Sequence, residues 1–273
     1  MHDLGEKYLR KSALPTIFCS GCGDGTVLAA TLRAIDQLGI IDEVALVGGI
    51  GCSGWMPVYI NADVIHTLHG RAIPVATGLK VTNPKRKVIV FTGDGDNVGI
   101  GGNHFIHAAR RNIDLTVIMI NNQIYGMTGG QAAPTTPSLA RTQTSPYGNQ
   151  ERPFDACELA IGAGATFVAR WTSGHPVQIT AVLKEAIQHR GFAFVEVLTQ
   201  CPTQAGRYMH GTSDPAEMVK QLREMAVPKE RFEKLSPEER RGKVPVGVLH
   251  RIDGVPEFTE ALYQLMRGAQ SHG

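Results

Sequence analysis

Two apolar runs constrain this chain more than anything else in it. Residues 88–92 (VIVFT) lead into GDGDN at 93–97, and residues 115–120 (LTVIMI) lead into Asn121-Asn122. Both runs are apolar at nearly every position and rich in β-branched residues, the pattern of parallel strands buried on both faces. Residues 96–120, which are 25 positions, separate Gly95 from Asn121. That is room for one helix and the next strand, so both polar segments return to the carboxyl edge of one sheet. Ligands of open α/β sheets bind at that edge.

The rest of the chain agrees with an α/β fold, a parallel sheet flanked by helices. Residues 44–48 (VALVG) and 193–198 (AFVEVL) read as further strands, with helical stretches near 71–82, 101–112 and 174–189. Residues 24–39 place Val27, Leu28, Leu32, Ile35 and Leu38 on one helical face, with Asp24 suited to the N-cap and Gly39 to the stop. Composition shifts near 204. In residues 214–243, fifteen of thirty are charged, eight basic and seven acidic, which reads as a solvated helical tail. The expected division is a domain over 1–203 and a charged extension over 204–273, packed on that domain or on a partner.

Charge and cysteine usage exclude several classes. Lys plus Arg number 27 against 25 Asp plus Glu, too even for an electrostatic nucleic-acid binder. No run reaches the roughly 18 apolar residues of a membrane helix. The opening MHDLGEKYLRKSALP lacks a signal-peptide core, so a cytoplasmic protein is expected. In that compartment the cysteines at 19, 22, 52, 157 and 201 favour metal binding or catalysis over disulfides.

Asp94 and Asn122 then converge as hard oxygen ligands suited to Mg²⁺, which favours a few protein oxygens plus diphosphate and water. The surrounding glycines let backbone N–H groups approach a diphosphate. A competing signal is G-x-G-x-x-G at Gly49, Gly51 and Gly54, directly after a strand. It fits a nicotinamide site poorly, because Trp55-Met56-Pro57 follows where a helix should pack closely.

GDG and NN at this spacing form a thiamine-diphosphate signature. CSGCG, GIGCSGW, HTLHGRAIPVATG, GDGDNVGIGGNH and NNQIYGMTGGQAAPTTP, in that order, narrow it. Over residues 15–210 this text resembles the beta subunit of 2-oxoacid:ferredoxin oxidoreductases, nearest the 2-oxoglutarate branch. The resemblance implies the diphosphate-binding module of the thiamine-diphosphate-binding fold. It implies Mg²⁺ held by Asp94, Asn122 and the Ile124 carbonyl, with Gly95, Asp96, Gly126 and Met127 lining the diphosphate. Ile50, Gly51, Cys52 and Ser53 would touch the cofactor from another loop. His69, followed by Gly70 in HGR, would face the diphosphate or the substrate as a catalytic residue.

By the same resemblance Cys19, Cys22, Cys52 and Cys201 hold one [4Fe-4S] cluster, and Cys157 is a buried apolar thiol. A zinc ion on the same four thiolates is the alternative. The family's cofactor-activating glutamate belongs to an alpha subunit carrying the pyrimidine-binding module, which makes this chain half of a heterodimer or of a dimer of heterodimers. The implied reaction converts 2-oxoglutarate, coenzyme A and oxidised ferredoxin to succinyl-CoA, carbon dioxide and reduced ferredoxin, or runs in reverse. Pyruvate or another 2-oxoacid is the alternative substrate. A nicotinamide-dependent dehydrogenase and a non-catalytic iron–sulfur electron-transfer subunit are the rival classes.

Overall fold

A computed structural model describes residues 2–270. In chain order it contains α1 (His2–Tyr8), α2 (Gly23–Leu38), β1 (Val44–Gly48), β2 (Asp63–His66), α3 (Ala72–Thr82), β3 (Lys87–Gly93), α4 (Gly102–Arg111) and β4 (Leu115–Asn121). There follow β5 (Ile124–Tyr125), β6 (Gln131–Ala132), α5 (Ala156–Gly162), β7 (Phe167–Thr172), α6 (Pro176–Gln188), β8 (Phe192–Leu198) and α7 (Ala205–Tyr208). The chain closes with α8 (Pro215–Met225), β9 (Ala226–Pro228), α9 (Lys229–Phe232), β10 (Val244–Arg251) and α10 (Phe258–Gln270).

Eight strands form one sheet in the order β2-β1-β3-β4-β8-β7-β10-β9. The first six are mutually parallel, and β10 runs antiparallel to β7. Alternation within the apolar strands divides the core into two layers. Ile89, Phe91, Ile118 and Ile120 face the layer that includes α2 and α6; Val88, Val90, Val117 and Met119 face the one that includes α3, α4 and α5. From β1 the chain goes first to β2 on one side and then to β3 on the other. The crevice beyond β1, β3 and β4 is therefore the switch point where such sheets take ligands.

Two expectations need correction. The region after 204 is not only a solvated helical tail, because β10 continues the sheet, with Gly247 opposite Arg170 and Val248 opposite Ala169. Helix α2 also starts earlier than Asp24. The Gly23 N–H donates to the Gln200 carbonyl at 3.1 Å, tying the helix start to the exit of β8. Cys22 takes the cap position, and Asp24 becomes a buried residue inside the first turn. Gly39 ends the helix as expected, in the left-handed conformation at φ 69°.

Candidate active site

Three loops build the site, one after each of β1, β3 and β4. After β3 the chain enters a wide helical turn over Gly95–Ile100, in which the Gly101 N–H reaches back five residues to the Asp96 carbonyl. Such widened turns favour functional sites because they re-aim side chains within a helix. Here Asp94 and Asp96 are both buried, and both border one cleft. Its other walls are residues 50–53, His69, Asn122, and the stretch from Ile124 through Thr128. The structure thus gathers Asp94, Gly95, Asp96, Asn122, Ile124, Gly126, Met127, Ile50, Gly51, Cys52, Ser53 and His69 around a single space. Gly70 stands just behind it, its N–H on Asp96.

The donor set suits a hard divalent cation. Asp94 contributes a carboxylate and Asn122 a carboxamide, whose Oδ1 already accepts the Ile124 N–H at 3.2 Å and retains a second lone pair. Burial pushes the Asp94 carboxyl up to about 6 despite a hydrogen bond from the Thr135 hydroxyl. Asp24 borders the same cleft and is likewise raised to about 6 by burial. Neither Asp24 oxygen has a regular hydrogen-bond partner, and only the Cys22 thiol tempers its desolvation. Two buried carboxyls without a cationic side chain leave a deficit of positive charge that a bound cation corrects.

Asp96 has another task. Its Oδ1 accepts the N–H of Gly70 at 2.7 Å and of Ile50 at 3.3 Å, and lies 2.6 Å from His69 Nδ1. One carboxylate oxygen therefore ties the β1 loop, the loop before α3 and the wide turn together. It also leaves Nε2 as the free ring nitrogen of His69. This accounts for the glycines that mimic a dinucleotide fingerprint. A Cβ on Gly49 would lie 1.7 Å from Asp96 Oδ2, and one on Gly54 would lie 2.1 Å from the Gly49 carbonyl. Gly49 and Gly54 make room for protein atoms, not for a dinucleotide.

Four cysteines come together beside the cleft. The ionisation of Cys22, Cys52 and Cys201 is opposed first by burial and also by the other thiols of the set, Cys19 included; Cys52 is pushed up to about 12. Among the described residues, the only trio of metal-ligating atoms within 4.8 Å of one another is Asp155, Cys157 and Glu196. No three of the four clustered sulfurs are that close, whereas tetrahedral zinc with bonds of about 2.3 Å holds thiolates about 3.8 Å apart. A cubane, with one thiolate on each iron, spaces them more widely. Arg170 sits among the Asp155, Cys157 and Glu196 trio, 2.6 Å from Asp155 and 2.5 Å from Glu196, so that trio is an ion-pair network.

Comparison with known proteins settles the family. Residues 49–197 match the thiamine pyrophosphate enzyme, C-terminal TPP binding domain. The chain is 52% identical to the 2-oxoglutarate synthase subunit KorB of Methanocaldococcus jannaschii, over 97% of this chain and 98% of that protein. It belongs to the KorB family. The KorB subunit of Archaeoglobus fulgidus is 55% identical over 80% of this chain and 79% of its own. A 2-oxoglutarate:ferredoxin oxidoreductase from Magnetococcus marinus, solved with 2-oxoglutarate, coenzyme A and succinyl-CoA bound, superposes with a TM-score of 0.86. It is 35% identical and covers 97% of this chain and 90% of that one. The expected α/β thiamine fold and the expected family are those found.

Within this KorB-type site, sequence reading missed Asp24, Tyr125 and Thr128 on the cleft wall and Thr135 behind it. Asp24 was masked by its cap-like position. Thr135 stood in the PTTP text, whose link to Asp94 depends on a fold-back invisible along the chain.

Proposed function

We infer that the chain is the thiamine-binding beta subunit of a 2-oxoglutarate:ferredoxin oxidoreductase. The complete enzyme oxidises 2-oxoglutarate with coenzyme A to succinyl-CoA and carbon dioxide, passing two electrons to ferredoxin, or runs the reverse reductive carboxylation. The observation that carries this reading is the meeting of Asp94, Asn122 and the 50–53 loop in one cleft, with Cys52 shared between that loop and the cysteine cradle.

Bound thiamine diphosphate supplies the carbanion chemistry that lets a 2-oxoacid lose carbon dioxide. Asp94, Asn122 and the Ile124 carbonyl would hold Mg²⁺ at the diphosphate, while Gly95 makes room for the Tyr125 ring, which a Cβ there would approach to 2.1 Å. Asp96 fixes the ring of His69 through Nδ1, so that Nε2 exchanges a proton with substrate or cofactor in a set orientation. The Asp96 Oδ1 that orients His69 also accepts the N–H groups of Ile50 and Gly70, which hold the carboxylate in place.

Cys19, Cys22, Cys52 and Cys201 would hold one [4Fe-4S] cluster, which would supply the electron exit. Cys19 is exposed and Cys201 buried, so Cys19 would be the ligand nearest solvent and nearest an approaching ferredoxin. An alpha subunit covers the cleft mouth. Leu68 is 77% and Ile100 53% exposed there, with Ile50 and Met127 exposed beside them. An apolar rim of this kind is a docking surface. Among the described residues no helix is long and apolar enough to cross a membrane, in keeping with work in the cytoplasm alongside a diffusible ferredoxin.

The test is anaerobic turnover of the purified complex with an alpha subunit. It should reduce ferredoxin only when 2-oxoglutarate, coenzyme A and thiamine diphosphate are all present. Preference for pyruvate would move the substrate, and reduction of NAD in place of ferredoxin would overturn the class.

A further inference from the structure

We propose that Thr135 is a positioning residue for the cation site, its hydroxyl holding the Asp94 carboxylate toward Mg²⁺ at the end of a buried chain through Asn121, Glu196 and Arg170. This rests on the reading of Asp94 as a Mg²⁺ ligand and adds what aims it.

The chain starts with a charge in an unexpected place. Glu196 lies in the middle of β8, in the run FAFVEVL, and is 2% exposed. A buried carboxylate there is costly unless fully partnered. Its register partner on β7 is Arg170, whose Nε donates to Glu196 Oε2 at 2.5 Å. Arg170 Nη2 donates to Asp155 at 2.6 Å, and Asp155 in turn caps α5 through the N–H groups of Cys157 and Glu158. The ion pair is thereby anchored to a helix.

From Glu196 the hydrogen-bonded contacts continue toward the active site. Asn121 Nδ2 donates to Glu196 Oε1 at 2.7 Å, which fixes the carboxamide. Asn121 Oδ1 accepts the Gln123 N–H at 3.0 Å and stands 3.1 Å from the Thr135 hydroxyl. The Thr135 hydroxyl thus has two acceptors in reach, and its proton favours Asp94 Oδ2, the closer and charged one, while Asn121 Oδ1 keeps the hydroxyl from turning away. The backbone around Thr135 is pinned as well. Thr136 donates its hydroxyl to the Gln123 carbonyl at 2.6 Å and accepts the Ala133 N–H at 2.8 Å. Gln123 itself is held at φ 62°, a left-handed conformation seldom kept without surrounding constraint.

A carboxylate on a glycine-rich turn rotates unless something outside the turn stops it. Outer partners of metal ligands do this elsewhere and contribute about 10–100-fold in metal affinity. Thr135 also borders a cavity of about 220 Å³ behind the site, so losing its hydroxyl leaves no crowded core to repack.

The experiment measures Mg²⁺ binding by calorimetry on the alpha–beta complex with thiamine diphosphate present, cluster absorbance serving as the folding control. Thr135→Ala should weaken Mg²⁺ by about 10–100-fold with the absorbance unchanged, and Thr135→Ser should restore it. If Thr135→Ala binds Mg²⁺ as tightly as the wild type, or Thr135→Ser is as weak as the alanine variant, the inference falls. If the wild-type complex takes up thiamine diphosphate with no divalent cation at all, the Mg²⁺ reading itself has failed.

Discussion

Asp94 shows how burial sets chemistry at a single position. Its carboxyl titrates near 6 in the metal-free fold, above the unfolded value of 3.8. The folded chain therefore holds this proton while the unfolded chain has already lost it, so apoprotein stability falls as pH rises from about 4 to about 6. Asp24 adds a change of the same sign. Mg²⁺ needs the ionised form, so its affinity should drop about tenfold per pH unit below 6. Calorimetry between pH 5 and pH 7 reads this, and Asp94→Asn should flatten the profile while sparing the cluster. The cysteines separate equally sharply. Cys201→Ser should lose iron, whereas Cys157→Ser should keep it, since Cys157 touches Glu196 and not the cradle. Iron content per chain decides between them, and a colourless Cys157→Ser would break the ligand set.

At the scale of elements, the sequence was legible wherever burial is uniform. Strands β1, β3, β4 and β8 carry apolar text on both faces, and nothing else about them needed to be known. Strand β7 was not legible. FVARWT places Arg170 inside a sheet, and Glu196 opposite it together with Asp155 makes that tolerable. Register between strands is a fact about two segments that neither one announces. Strand β10 hid for a different reason, because Pro245 and Gly247 punctuate VPVGVLHR as a loop would. The cleft divides along the same line. The GDGDN and NN loops are local motifs and could be read directly. The Asp96 bridge to Ile50 and Gly70, and the Thr135 contact to Asp94, depend on loops meeting in space. Strand β10 covers the edge of β7, with the Ile252 N–H bonded to the Thr166 carbonyl at 2.8 Å just beyond it. A chain ending at Lys243 should uncover that edge and self-associate, which light scattering would detect; a monodisperse truncation would show that β10 shields nothing.

The whole molecule is an incomplete machine. Its cleft is open at the mouth, its rim is apolar, and by the proposed function the glutamate that activates thiamine would come from the alpha subunit. Purified alone, it should give no 2-oxoglutarate-dependent viologen reduction, and adding the alpha subunit should start it. A robust rate from the single chain would show that it is self-sufficient. The four clustered thiols also carry a consequence for biosynthesis. Cys19 precedes α2 and every strand of the sheet, while Cys201 follows β8, the last-made of the six mutually parallel strands. The cradle cannot close until all six of those strands have been made. The two core layers, meanwhile, contain none of its thiols; Cys201 packs apart from them, with Ile124 and Ala205. If the cradle takes the proposed cluster, iron delivery should be a step of maturation that comes after folding. Iron-starved cells should accumulate a folded, colourless chain with protonated thiols, waiting for its metal, and not a degraded one.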